Sequence, residues 1–154
     1  MAAITAGPGI ALTELGNTFI SVWRRQATLQ TLKLVREVQG RFIAANPGGI
    51  GVVTVMEPVS VRPLNGEERA AAAAIARDFA PSTLASAYVF EGQGFIPAMS
   101  RAAVAGVLLL SRVKYPNRVF ATVDDGARWL AQKLPPLDVP ALARCIEEAR
   151  ARIG

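Results

Sequence analysis

Histidine is absent from the 154 residues, and cysteine occurs once, at Cys145. Those two shortages exclude much chemistry. No Ser-His or Cys-His nucleophile pair can form. A zinc site of His and Cys ligands cannot be built within one chain. Cys145 has no partner for an intrachain disulfide, which suits a reducing cytoplasm. Long apolar runs are also missing. The longest, Ala102–Leu110, falls well short of the ~20 residues of a spanning helix. Residues 1–12 lack a basic n-region and are interrupted by Gly7-Pro8-Gly9, so they do not read as a secretory signal. Charge is sparse at 19%, while 51% of residues are hydrophobic, which excludes a disordered chain. Carboxylates, hydroxyls, Lys and Arg remain for chemistry, and no two acids stand out as a convergent pair. No catalytic residue, cofactor or metal is expected.

What charge there is leans basic. Seventeen Lys and Arg against twelve Asp and Glu leave a formal charge of +5, with an isoelectric point near 10.1. The cations are scattered, only Arg24-Arg25 is adjacent, and no aromatics interleave with them as a nucleic-acid platform requires. They read as a solvated surface. A chain of this length supports one domain with a true core.

The patterning reads as alternating strands and helices. Residues 1–9 are small and expected to be a flexible terminus. Ile10–Leu15 and Thr18–Trp23 flank Gly16-Asn17 and predict a β-hairpin. Thr28 caps a helix over Leu29–Ala45, with Val35, Val38, Phe42 and Ala45 on its apolar face. Ile50–Met56 and Ala85–Phe90 read as short strands buried on both faces. Between them, Asn65 and Glu68 have capping-box spacing ahead of the Ala70–Ala74 run, and Pro81 stops that helix. A strongly apolar helix follows Pro97 to about Arg112. Arg118–Val123 predicts a further strand, and Asp124 or Asp125 a cap for a helix carrying Trp129, Leu130 and Leu134. After Pro135-Pro136, a last helix runs from about Val139 to Ile153. The order β-β-α-β-α-β-α-β-α plus an extra helix implies an α/β fold with right-handed crossovers and a mostly parallel sheet. The expected division is a domain over 10–134 and a C-terminal helical extension over 135–154.

This order, with the closing segment Arg118-Val119-Phe120-Ala121-Thr122-Val123-Asp124-Asp125-Gly126-Ala127-Arg128-Trp129-Leu130, resembles the STAS domain, the family of anti-sigma-factor antagonists and their SpoIIAA-like relatives. The resemblance spans about residues 10–134. It implies a STAS-like mixed sheet and a non-enzymatic domain that binds another protein or, in some relatives, a small or lipid ligand. It also implies a partner-binding turn where the third strand leads into the second helix, here around Arg62, Asn65 and Gly66. Regulated members carry a phosphorylated Ser or Thr at that helix start. Asn65 and Gly66 stand there instead, and Ser60 lies upstream across a proline, so the usual phospho-switch is not carried over.

Two helices offer apolar surface beyond what one sheet needs to cover it. Arg101 and Arg112 are eleven positions apart and nearly eclipsed, which marks the face expected to meet solvent, yet Val104, Ala105 and Leu108 lie within roughly 60° of it. This face is covered by the C-terminal tail, or is a subunit or partner interface with Leu108 at its centre, or lies over a lipid or small-ligand cavity beneath the helix. In the last helix, Leu142, Ile146, Ala149 and Ile153 make a short coiled-coil-like stripe, with Arg144–Glu148 and Glu148–Arg152 as outer pairs. At about two heptads it must dock on its own domain, a twin or a partner. Gly92-Gln93-Gly94 lacks the Lys-Ser/Thr of a phosphate loop and reads as a tight turn. The resulting expectation is a cytoplasmic protein-interaction or regulatory module that self-associates as a homodimer. The alternative is a carrier of a lipid or other small apolar ligand.

Overall fold

Residues suited to strands, β-branched and aromatic in the second, on either side of a Gly-Asn turn make the first long strands. In the computed structural model, which describes residues 3–58, 64–94, 97–102, 105 and 113–154, they are β2 (Ile10–Leu15) and β3 (Thr18–Trp23), paired antiparallel. The expected flexible terminus is partly ordered. Thr5–Gly7 forms a short strand, β1, antiparallel to β2, and the Thr13 hydroxyl donates to the Ala3 carbonyl at 3.1 Å. Its small residues hide the pattern, because the pairing is carried by backbone groups.

From β3 onward the sheet is parallel. β4 (Ile50–Met56), β5 (Thr83–Phe90) and β6 (Asn117–Phe120) follow in spatial order, giving β1-β2-β3-β4-β5-β6. Helix α1 (Leu29–Ala45) crosses from β3 to β4, and α2 (Gly66–Phe79) crosses from β4 to β5. Thr28 caps α1 through a reciprocal box with Thr31. Ala45, expected on the apolar face of α1, is exposed, and Gln39 is buried instead. Residues 97–102 and 105 are helical. The last strand is shorter than Arg118–Val123. It ends at Phe120 because Thr122 accepts from the Asp125 amide and caps α3 (Val123–Lys133), leaving Asp124 and Asp125 in the first turn rather than at the cap. Helix α4 (Val139–Arg152) is capped by Asp138.

The sheet has two unlike faces. On one, Ile20, Val22, Val53, Val55 and Val89 meet Ala127 and Leu130 of α3 and Leu142, Ile146 and Ala149 of α4. Gly126 lets α3 approach closely, since a Cβ there would sit 2.8 Å from Val89 Cγ2. On the other face, Ile10, Leu12, Phe19 and Trp23 pack against Leu32, Val35 and Phe42 of α1. Here β4 and β5 are less apolar than strands buried on both faces would be. Thr54, Ser86 and Tyr88 stand on the α1–α2 side, and Val52, Thr54 and Met56 are only half-buried.

Helix α4 is therefore no appendage. Leu142 and Ile146 are fully buried and Ile153 nearly so, all in the core shared with β2, β3 and α3. The predicted self-association role of Leu142, Ile146 and Ile153 is corrected accordingly. The stripe is spent inside its own domain, because α3 and the sheet leave an apolar face that α4 covers. No helix among the described residues is long and apolar enough to cross a membrane.

Candidate functional site: the carboxyl edge of the sheet

Open α/β sheets bind their ligands outside the carboxyl ends of parallel strands. Here Trp23 pairs with Met56, and Met56 with Phe90. The next residues, Arg24, Glu57 and Glu91, therefore come to rest side by side at that edge. Backbone bonds extend the ladder to them, from Glu57 N–H to the Trp23 carbonyl and from Glu91 N–H to the Met56 carbonyl, both 2.9 Å.

Two neighbouring carboxylates need a cation between them, and α4 supplies it. Arg150 donates from Nη1 to Glu57 Oε2 and from Nη2 to Glu91 Oε2, both at 2.7 Å, and from Nε to Glu147 at 3.0 Å. Arg24 forks onto the other side of Glu57, at 2.7 Å from Nε and 3.3 Å from Nη2. It also donates to the Ile153 and Arg150 carbonyls at the end of α4. Glu57 is 11% exposed and Arg150 17%. Burial pushes the Glu57 carboxyl up, but the hydrogen bonds and charges of Arg24 and Arg150 outweigh it and hold the group below the ordinary carboxylate range. The expected outer pairs of Glu148 are not among the ion pairs of the described residues. Arg150, three residues after Glu147, carries those of α4.

Arg101 joins the same edge. It was expected to mark a solvent face, but its guanidinium donates to the Phe90 and Gly92 carbonyls at 2.8 and 3.1 Å. Carbonyls at the end of a parallel strand lack ladder partners, and the guanidinium has five donors to offer them. Ala98, Met99, Ala102 and Ala105 are exposed. Val104, Leu108 and Arg112 of the predicted interface lie outside the described residues. Gly92 and Gly94 have φ of +116° and +106°, which fits the expected turn.

At the turn into α2, Asn65 is the cap. Its Oδ1 accepts from the Glu68 amide at 2.8 Å, and its own N–H donates to Glu68 Oε1 at 3.0 Å. Asn65, Gly66 and Glu67 are exposed. Arg62 lies outside the described residues, as does Ser60. Among the described residues no group of three acids, cysteines or histidines is placed to hold a metal ion. Asp124 pairs with Arg128 on the helix surface instead.

The Arg24–Glu57–Arg150–Glu91 cluster was missed by sequence reasoning. Its one local signal is that a charged residue follows each of three apolar strands. The fourth member comes from 59 residues beyond Glu91 and carries no such signal.

No protein-family model and no curated protein matches the chain. Among solved structures, it is similar to an uncharacterised protein of the DUF3478 family with a SpoIIAA-like fold, from Shewanella loihica PV-4. The similarity has a TM-score of 0.58 at 14% sequence identity and covers 79% of this chain and 93% of that one. This chain has a SpoIIAA-like fold, as the sequence resemblance implied. At that identity the likeness speaks for the fold alone.

Proposed function

We propose that this chain is a non-enzymatic binding module that works through protein contact, without a hydroxyl switch at the start of α2. The observation that carries this reading is the closed carboxyl edge. A general acid or base must be free to exchange a proton near neutral pH. Glu57 and Glu91 are instead tied to guanidinium groups that stay charged, and Arg101 is tied to carbonyls. A partner then meets the exposed Asn65–Glu67 turn and the exposed residues of the helical segment 97–102. Asn65 supports the absence of a switch, since it fills the cap position with a side chain that cannot be phosphorylated.

Self-association through that second helix is part of the proposal. Ala98, Met99, Ala102 and Ala105 recur at helical spacing and are exposed, which supports an apolar contact with a second copy in the cytoplasm. Sedimentation of the full chain at increasing micromolar concentration tests it. The expected result is a mass above 16.3 kDa that grows with concentration. A constant 16.3 kDa species would overturn the homodimer.

A second reading, binding of a small apolar ligand, draws on a different feature, a cavity under α1 and α2.

A further inference from the structure

Between α1, α2 and the sheet lies a half-open cavity of about 140 Å³. Its origin is legible in the side chains. Ala72 and Ala76 of α2 face Ser21, Thr54 and Ser86 on the strands, so two short layers meet and leave a gap. Leu32, Val35, Ile75 and Phe79 wall it from the helices. No charged side chain lines it among the described residues.

One atom in this cavity is unexplained. The Ser86 hydroxyl is buried, with the residue 1% exposed, and it has no hydrogen-bond partner among the described residues. A buried hydroxyl left unpaired costs about 1–3 kcal/mol, so native structures pair such groups as a rule. Gln39 and Thr54 also line the cavity, but among its lining residues Ser86 carries the polar atom that is both shut off from water and unpaired, and the Thr83 hydroxyl donates to the Phe79 carbonyl at 2.8 Å. Trp23 Nε1 donates to Ser21 Oγ at 3.0 Å. Burial first, then the neighbouring Tyr88, pushes the Tyr115 hydroxyl up and keeps it neutral.

We propose that this cavity binds a small neutral ring compound, phenol-like in chemistry, whose single polar group pairs with the Ser86 hydroxyl. The inference rests on the second reading above and gives it a ligand class and a recognition atom. Size sets the class. A cavity of about 150 Å³ takes one benzene-sized ring, which excludes a full lipid chain. Charge restricts it further, because an ionised head would be desolvated with no counter-charge among the described lining residues to offset it. Phe19, Trp23, Phe79, Tyr88 and Tyr115 border the space and offer aromatic edges and faces.

The test is a ligand-detected NMR titration of the full chain with phenol and with toluene. Both are expected to bind saturably. Ser86→Ala is expected to weaken phenol about three- to tenfold, the worth of one net hydrogen bond, and to leave toluene unchanged. The free Ser86→Ala protein should melt no lower than the parent, because an unpaired hydroxyl is being removed. Ile75→Trp, or Ala72→Phe should the first not fold, fills the space and should abolish binding of both compounds. If neither compound binds saturably, the proposal and the small-ligand reading fall together. If both bind but Ser86→Ala changes neither, or both alike, the recognition by Ser86 is overturned while the small-ligand reading stands. Binding that survives the filling variants would place the site elsewhere and overturn the proposal.

Discussion

Arg150 is the residue on which the charged edge depends. It bridges Glu57, Glu91 and Glu147 from one guanidinium, and its removal would leave Glu57 with Arg24 alone and Glu91 without a cationic partner among the described residues. Breaking a pair this sheltered from water is costly, because one charge stays buried without its counterion. Arg150→Ala is expected to lose about 3 kcal/mol in urea unfolding, and Arg150→Lys to recover only part, since an ammonium cannot fork onto two carboxylates. Acid acts through the same residues. The Glu57 carboxyl titrates below its unfolded value of 4.5 in the folded chain, so its contribution is complete above that pH and is lost as pH falls through the folded value. The parent should therefore lose stability on acidification below 4.5, and Glu57→Gln, already weaker at neutral pH, should lose less over the same interval. Parallel slopes for the two proteins would contradict this account.

At the scale of elements, two helix contacts separate local from tertiary causes. The start of α2 is a local device. Asn65→Ala is expected to cost about 1 kcal/mol in thermal or chemical melts by removing the cap. Asn65→Ser, which keeps a capping oxygen, should be close to neutral. Docking of α4 is the opposite case. A helix of 14 residues does not hold itself together in water, and it is stable here because Leu142 and Ile146 are buried against β2, β3 and α3. Ile146→Ala should cost about 2–5 kcal/mol, the transfer term plus the cavity left behind. Truncation after Pro136 should give an aggregating chain rather than a smaller domain, since Ala11, Val22 and Leu130 would meet water. A soluble, cooperatively melting truncation product would show that 135–154 is a true extension.

At the scale of the molecule, the question is whether one copy is complete. Both faces of its sheet are packed by helices, and the large hydrophobics exposed among the described residues are Leu29, Leu84 and Met99. Met99 lies beside Ala98, Ala102 and Ala105 on one helix surface. If that surface holds a second copy, Ala102→Glu puts a carboxylate into a dry contact while leaving the fold intact, because the residue is exposed in the single chain. The expected outcome is an unchanged circular dichroism spectrum and a sedimenting mass of 16.3 kDa. A variant that still associates like the parent would remove this face from the interface.

The elements whose cause is local could be read without coordinates. Gly16-Asn17 between β-branched runs determines the β2–β3 hairpin, Thr28 and Asn65 start α1 and α2, and Pro81 ends α2, because turns, caps and helix stops act within a few residues. The element order, and with it the SpoIIAA-like fold, follows from the same signals. What lacked a local cause waited for the tertiary structure. Thr5–Gly7 is a strand only because β2 offers an unpaired edge. Arg150 meets Glu57 and Glu91 only because α4 folds back over the sheet, bringing together positions 93 and 59 residues apart. The stripe of Leu142 and Ile146 looked the same in sequence whether it served a twin or its own core, and burial against α3 and the sheet decided it. In the sequence, Ser86 is simply part of a short buried strand. Only the register, which sets it beside Val52 and beneath the alanines of α2, shows a hydroxyl buried without a partner in an uncharged cavity.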